Sequence, residues 1–214
     1  MARPGAQREI KQERAARTRM EILQAGIELF ARRGILATTM NELARQIKMT
    51  PGALYWHFPT KEDLLLAAME ELHRRFIGEF AEVLTAGRKW PAKKQLITFM
   101  DRTRTFLRYH PYHGIFFALL AAEAPNNNER VAEGLREMLG LYAQALAGIV
   151  KYGQKKGELR DDINPEAFAH SILSAHMGLI VHQQLFNPSI TYDAMCDALD
   201  LPLMLGIDPK PKAK

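Results

Sequence analysis

The sequence predicts an all-α chain in two parts, an N-terminal three-helix head built around a helix-turn-helix and a larger helical body behind it. Three observations carry this. Apolar residues recur at three- and four-residue steps through most of the 214 residues, with no alternating strand pattern and no internal repeat. Helix start signals, a Thr or Asn before a Pro or ahead of an acidic residue, recur along the chain. Three such starts crowd into Thr39 to Lys61, which leaves room for two short helices, a tight turn and the beginning of a long helix.

Residues 1–13 are polar, contain Pro4-Gly5 and predict a basic, flexible arm. From Arg14 the pattern turns helical, with Ile22, Ile27, Leu29 and Phe30 as the apolar stripe and Gly34 as its end. Thr39 opens a capping box with Glu42, just ahead of the apolar pair Leu43-Ala44. Thr50 is an N-cap and Pro51 occupies N1, where its missing N–H costs nothing. The two short helices, about 39–47 and 50–56, are joined by a turn at Lys48-Met49. Thr60 caps the next helix, with Glu62 and Asp63 in its positive first turn.

That helix runs over 60–86, with apolar residues at 65, 69, 72, 76, 80 and 83, and Gly87 and Pro91 end it. At 1.5 Å per residue it is roughly 40 Å long, enough to link a head to a separate body. A helix over about 92–108 carries Leu96, Met100, Thr103 and Leu107; His110-Pro111 breaks it. An apolar helix follows through Leu120 to a loop at Pro125-Asn126-Asn127-Asn128. Residues 129–153 form an amphipathic helix with Val131, Leu135, Met138, Tyr142, Ala145 and Ile149 in register, closed by Lys155, Lys156 and Gly157. Asn164-Pro165 starts a helix that ends at Phe186, before Asn187-Pro188. Thr191 opens a last helix through Leu205, which Pro202 should kink or cut. The expected division is 1–58 for the head, 59–207 for the body and 208–214 for a flexible tail.

Composition narrows the class. Hydrophobic residues at 47% and charged residues at 25% are ordinary globular values. The single cysteine, Cys196, excludes an internal disulfide and fits a reducing cytoplasm. No apolar run reaches about 18 residues, so no membrane span is expected, and the basic N-terminus lacks the apolar core of a signal peptide. The net charge of +5 is unevenly placed: residues 1–60 hold ten Lys or Arg against five Asp or Glu, while the rest is balanced at nineteen each. A basic head on a neutral body is the footprint of a nucleic-acid-binding protein. Arg14, Arg17 and Arg19 fit phosphate tracking, minor-groove entry or a solvated helix face equally well.

The helix starting at Thr50 is odd for a purely structural element. It is barely two turns long, opens with small residues and ends in Tyr55-Trp56-His57. Leu54 and Phe58 at i,i+4 already supply a core face, which frees the small residues to approach a surface and leaves a hydroxyl, an indole and an imidazole for phosphates. Thr39, Leu43-Ala44, Leu54-Tyr55-Trp56-His57-Phe58 and Lys61 at this spacing resemble the DNA-binding domain of the TetR family of bacterial repressors, over about residues 18–70. The family usually has Gly in the helix-turn-helix turn, where this chain has Lys48; positive φ is costly for a side chain, and Lys48 offers a phosphate contact in exchange.

The resemblance implies that Thr50, Pro51, Gly52, Ala53 and Tyr55 lie in the major groove of an operator duplex. Asn41 then reaches bases or backbone, and Thr39, Trp56, His57 and Lys61 clamp phosphates. No Arg lies in the recognition helix, so bidentate guanine readout is not available from it. It implies a homodimer paired through the last two long helices, for which Phe168, Ile172, Ala175, Gly178, Leu179 and Phe186 are the candidate contacts. It also implies a small-molecule effector in a pocket between helices; Phe80, Phe99, Phe106, Phe117, Met138, Tyr142, His176 and Met177 are the candidate lining, for an aromatic or lipophilic ligand. Met and aromatic residues at helical spacing are more usually plain core.

Nothing supports catalysis: no Gly-rich phosphate loop, G-x-S-x-G or H-E-x-x-H occurs. His110 and His113 are three apart, but Pro111 interrupts them and no Cys accompanies them, so no metal or cofactor is expected. His170, His176 and His182 rotate around their helix instead of sharing a face. Two rival readings remain, a helical protein whose basic arm meets anionic lipid and an enzyme reusing the fold.

Overall fold

The computed structural model describes residues 4–86, 89–186 and 190–209. Among these residues the chain forms nine helices and no strand: α1 Pro4–Arg33, α2 Met40–Gln46, α3 Pro51–His57, α4 Lys61–Ala86, α5 Ala92–Tyr109, α6 Pro111–Asn127, α7 Glu129–Lys156, α8 Pro165–Phe186 and α9 Tyr192–Gly206. Gly87, Asn187-Pro188, the side chains of Val83 and Phe186 and the tail beyond Pro209 lie outside the described residues.

The start signals work as their chemistry dictates. Thr39 and Glu42 close a reciprocal capping box on α2, and Thr50 Oγ1 accepts from the Ala53 N–H at 3.2 Å on α3. Thr60 and Asp63 exchange bonds at the start of α4, while Asn128, Asn164 and Thr191 cap α7, α8 and α9. Gly157 takes the left-handed conformation, φ 71°, that ends α7.

Three expectations are corrected. The basic arm is helical from Pro4 onward instead of joining α1 at Arg14, because residues 6–20 are mostly Ala, Gln, Glu, Lys and Arg, all strong helix formers. α6 continues through Pro125 to Asn127 instead of giving way to a loop; the Asn127 side chain donates to the Glu123 carbonyl at 2.6 Å and the Asn128 N–H to the Ala124 carbonyl at 2.8 Å. α9 spans Tyr192–Gly206 much as expected, so of the two alternatives at Pro202 the cut does not occur. In α7, Ala145 is exposed and Ile149 half-buried, whereas Leu146, Ala147 and Val150 are buried. The buried stripe there steps from Tyr142 by four, since α7 packs against α4, α5, α6 and α8 and needs a broad apolar face.

One apolar cluster joins the head to the near half of the body: Ile22, Ile27, Phe30, Leu43, Leu54, Phe58 and Leu64 are continuous with Phe116, Leu120, Val131 and Leu135. A second fills the far half around Phe80, Leu96, Met100, Leu146, Val150 and Ile172. A third, small one sets Ile180 against Tyr192 and Cys196 between α8 and α9. Packing therefore does not stop at residue 58. The seam is also bonded, the Leu36 N–H donating to Glu123 Oε2 at 2.8 Å; behind it Asn128 Nδ2 donates to Glu62 Oε2 at 2.8 Å and Arg130 Nη1 meets Glu62 Oε1 at 2.6 Å, tying α4 to the start of α7.

Within the far cluster, Gly153 of α7 is a close-approach position. A Cβ there would meet Ala92 Cβ and the Leu159 side chain at 2.6 Å. Gly153→Ala is expected to destabilise the chain by about 1–3 kcal/mol through overpacking, read as a lower urea midpoint with an unchanged slope.

Candidate nucleic-acid interface and regulatory core

α3 is held from behind and open in front. Leu54 and Phe58 are fully buried, while Thr50, Pro51, Gly52 and Ala53 are exposed, as are Tyr55 at 43% and Trp56 at 72%. With the core face at i and i+4, helical geometry turns i+1 and i+2 outward, so the burial of Leu54 is what presents the two aromatics. Trp56 stands edge-on to His57 with ring centroids 4.7 Å apart. Arg19 of α1 closes the far end: its Nη1 donates to the His57 carbonyl at 2.9 Å and its guanidinium lies 4.1 Å over the Phe58 ring. A cation on an orphan carbonyl at a helix C-terminus is a favourable cap. Burial, together with that guanidinium, holds His57 below the ordinary histidine range, so at neutral pH it offers a neutral imidazole N–H.

α2 runs in front of α3. Thr39 and Asn41 are exposed on it, and so is Arg45, which shares a face with Asn41 at i,i+4 and was not among the residues expected from sequence. That spacing was the signal for it. Lys48 occupies the turn with φ 56°, the left-handed conformation that its place in the turn implied, and its side chain is exposed.

Lys61 is placed otherwise than expected. Its Nζ donates to the Ile35 carbonyl and lies 5.9 Å over the Phe30 ring. Burial lowers its pKa from the ordinary lysine value, against Glu123 and Glu42. The ammonium is thus tied to the loop after α1, and Lys61 positions the head instead of standing free as a phosphate cation.

The eight residues proposed to line a pocket lie in or against the packed core. Phe80, Phe99, Phe106, Met138, Tyr142 and His176 are buried, Phe117 packs half-buried against the first cluster and Met177 is half-buried. Four of them belong instead to an aromatic column. Phe76 lies 4.2 Å from Phe80, 5.3 Å from Phe106 and 4.7 Å from Tyr142, and Phe80 lies 4.6 Å from Phe99. The column continues through Phe106 to His110 and His113, whose rings stack at 4.6 Å.

Tyr142 is anchored by a 2.8 Å hydrogen bond to His73 Nδ1. His113 is 1% exposed with neither ring nitrogen partnered by protein, and burial pushes its pKa down to about 3, so it is uncharged. Two crevices open among the described residues beside this column. One of about 230 Å³ opens between Leu107, Ile180 and Tyr192, and one of about 240 Å³ opens outside α4 and α7, where Met138 reaches it.

Of the residues named for pairing, Ile172 is in the core at 3% exposure, Phe168, Ala175 and Leu179 are half-buried, and Gly178 is exposed with open space around it. Ile172 is therefore removed from the candidate interface. The outward apolar side chains are Val181 and Leu185 of α8 and Leu201 and Leu205 of α9, each pair at i,i+4.

A capped two-turn helix that presents bare aromatics, set on a bonded helical body, is the arrangement of a helix-turn-helix DNA-binding protein. The family model described as "Bacterial regulatory proteins, tetR family" matches residues 22–68, and that described as "Tetracyclin repressor-like, C-terminal domain" matches residues 92–199. The chain belongs to the TetR family of DNA-binding bacterial transcriptional regulators, which are not enzymes.

It is 28% identical over 169 residues to the "Probable acrEF/envCD operon repressor" of Escherichia coli strain K12, covering 78% of this chain and 76% of that protein. Two solved structures share its fold. The TetR transcriptional regulator from Chloroflexus aurantiacus has a TM-score of 0.77 at 20% identity, covering 92% of this chain and 98% of that one. The regulator FadR from Bacillus subtilis, in complex with stearoyl-CoA, has a TM-score of 0.74 at 22% identity, covering 88% and 98%. No helix among the described residues is long and apolar enough to cross a membrane.

The two faces of α3 should separate in stability measurements. Leu54→Ala is expected to cost about 2–5 kcal/mol, whereas Trp56→Ala should change stability by less than about 0.5 kcal/mol. A large drop in melting temperature for Trp56→Ala would show that the indole serves the fold.

Proposed function

We propose that this chain is a repressor that binds a palindromic operator as a dimer and is released from it by a small aromatic or lipophilic molecule. The observation that carries the reading is Trp56, 72% exposed beside Tyr55 on a helix fixed rigidly from behind. In this reading Thr50, Pro51, Gly52, Ala53 and Tyr55 enter the major groove, and Thr39, Asn41, Arg45, Lys48, Trp56 and His57 meet the backbone or base edges at its borders. Without Arg on α3, base discrimination falls to Tyr and Thr hydroxyls and to apolar contacts with thymine methyls.

Dimerisation is supported by the outward row of Val181, Leu185, Leu201 and Leu205. Pairing of α8 and α9 with their copies would cover it and set two heads about 34–36 Å apart, one helical turn of DNA. The effector reading rests on the aromatic column and on His113, a neutral buried imidazole with an open donor and an open acceptor. An effector that parts the column and bonds His113 would satisfy groups the apolar core cannot. One relative of the same fold is a complex with stearoyl-CoA, in keeping with a lipophilic ligand.

The direct test is selection of bound duplexes from a random pool. Recovery of an inverted repeat that Trp56→Ala binds at least about tenfold more weakly is the expected result; no enrichment over random duplex would remove the reading. On that duplex, Leu185→Glu with Leu205→Glu should give a folded monomer by sedimentation and abolish tight binding, since both side chains are already in solvent. For the switch, a hundredfold release needs about 2.7 kcal/mol of coupling, and operator must weaken effector binding by the same factor. His113→Phe should keep operator affinity and reduce release in paired titrations with an effector found by screening. Identical effector affinity on free and DNA-bound protein would exclude this kind of switch.

A further inference from the structure

α1 begins at Pro4, yet among its described side chains, from Glu9 onward, the first fully buried one is Ile22, where the family match also starts. From Glu9 to Arg14, and again at Ala16, Arg17, Arg19 and Glu21, the side chains are exposed; Ala15, Thr18 and Met20 are half-buried. The turns ahead of Ile22 make a helix of about 25 Å, and from Glu9 to Glu21 it leaves the head with no buried side chain. A segment of that length holds only marginally in water.

Its charges are not arranged as on a helix that faces only solvent, which gains from opposite charges three or four places apart. Lys11 has Gln7, Arg8, Arg14 and Ala15 at those places, and Arg14 has Ile10, Lys11, Arg17 and Thr18. No carboxylate is in register with either cation. Glu9 and Glu13 fall together, i,i+4, on the other side of the helix. Arg17 is paired with Glu21 at 3.1 Å, and Arg19 is held on α3. That leaves Lys11 and Arg14 as an exposed cationic strip, roughly 12 and 8 Å along the axis from Arg19. Because Arg19 pins this part of α1 to the His57 carbonyl and the Phe58 ring, the projecting turns leave the head beside the C-terminal end of α3.

We propose that these turns are a second DNA contact, with Lys11 and Arg14 tracking phosphates of the duplex outside the operator half-site; the inference rests on α3 being the recognition helix. A helix is about 10–12 Å across and the minor groove about 6 Å wide, so α1 cannot enter the groove as an extended arm would. It lies against the backbone, adds affinity and salt dependence without reading bases, and lengthens the footprint by up to about seven base pairs on each side at 3.4 Å per step.

The test uses the full chain and the selected operator in two forms, trimmed to the inverted repeat or carrying about ten flanking base pairs on each side. Wild type is compared with Lys11→Gln/Arg14→Gln, in which Gln preserves helix propensity and circular dichroism checks helix content. Wild type should bind the flanked duplex about tenfold more tightly than the trimmed one, with a log–log salt slope steeper by about one per cation engaged. The double variant should lose both differences and bind the trimmed operator like wild type, and scrambling the flanks should change nothing.

Equal wild-type affinity for the two duplexes overturns the proposal. So does a flank advantage that survives in the variant, or one that depends on flank sequence. Weakened binding of the variant to the trimmed operator assigns the cations to the half-site itself and also overturns it. Binding of wild type, and not of the variant, to phosphatidylcholine vesicles containing phosphatidylglycerol, without a flank effect on DNA, assigns the strip to a lipid surface instead. If selection enriches no duplex, it is the reading of α3 that fails; a tightly bound operator without a flank effect sinks this inference alone.

Discussion

A helix of seven residues cannot hold itself in water, and α3 persists because Leu54 and Phe58 are withdrawn completely from solvent behind it. Each is worth roughly 1.5–3 kcal/mol of burial, enough to offset the unfavourable nucleation of so short an element. The same burial dictates what the other face can be. Thr50, Pro51 and Gly52 are exposed, and the two residues after Leu54 are turned out as the aromatics Tyr55 and Trp56. Arg19 completes the clamp at the helix end, so presentation and stability come from one set of contacts.

The head is not carried on α4 alone. Lys61 binds the loop after α1, Glu123 of α6 accepts from the Leu36 N–H in that loop, and Glu62 reaches Asn128 and Arg130 at the start of α7. Arg32 of α1 also bonds the Tyr112 hydroxyl at the start of α6. Two body helices, α4 and α6, therefore hold one side of the head, and α7 braces α4 through Glu62. The aromatic column touches both, α4 at Phe76 and α6 at His113. In the proposed switch, an effector acts by favouring an arrangement of α4 and α6 that the DNA-bound pair of heads cannot share.

Much of this was legible in the residues. Every cap read from Thr39, Thr50, Thr60, Asn164 and Thr191 is made, because a cap is a local competition among a hydroxyl or amide, water and the next N–H groups. The turn at Lys48 takes the left-handed geometry its position implied. The exposed half of α3 was legible too, since Leu54 and Phe58 left no face for a second core. Other features were not. Pro125 and Pro202 look like breaks, but each sits where its helix tolerates the loss of one hydrogen bond. The arm up to residue 13 read as flexible because charge says nothing about helix content, while its propensities do. Lys61 looked like a free cation, and only the fold brings the Ile35 carbonyl within its reach.

By itself, then, the sequence determined the helices, their caps, the outward aromatics of α3 and the basic head, all matters of spacing within one or two turns. Tertiary structure decided which apolar residues face which neighbour. Ile172 went to the core while Val181, Leu185, Leu201 and Leu205 stayed outside, and Phe76 joined Phe80, Phe106 and Tyr142 in a packed column. Helical periodicity says that a side chain has an apolar face to satisfy. It does not say which of several surrounding helices will satisfy it, because that depends on crossing angles and on contacts between residues far apart in the chain.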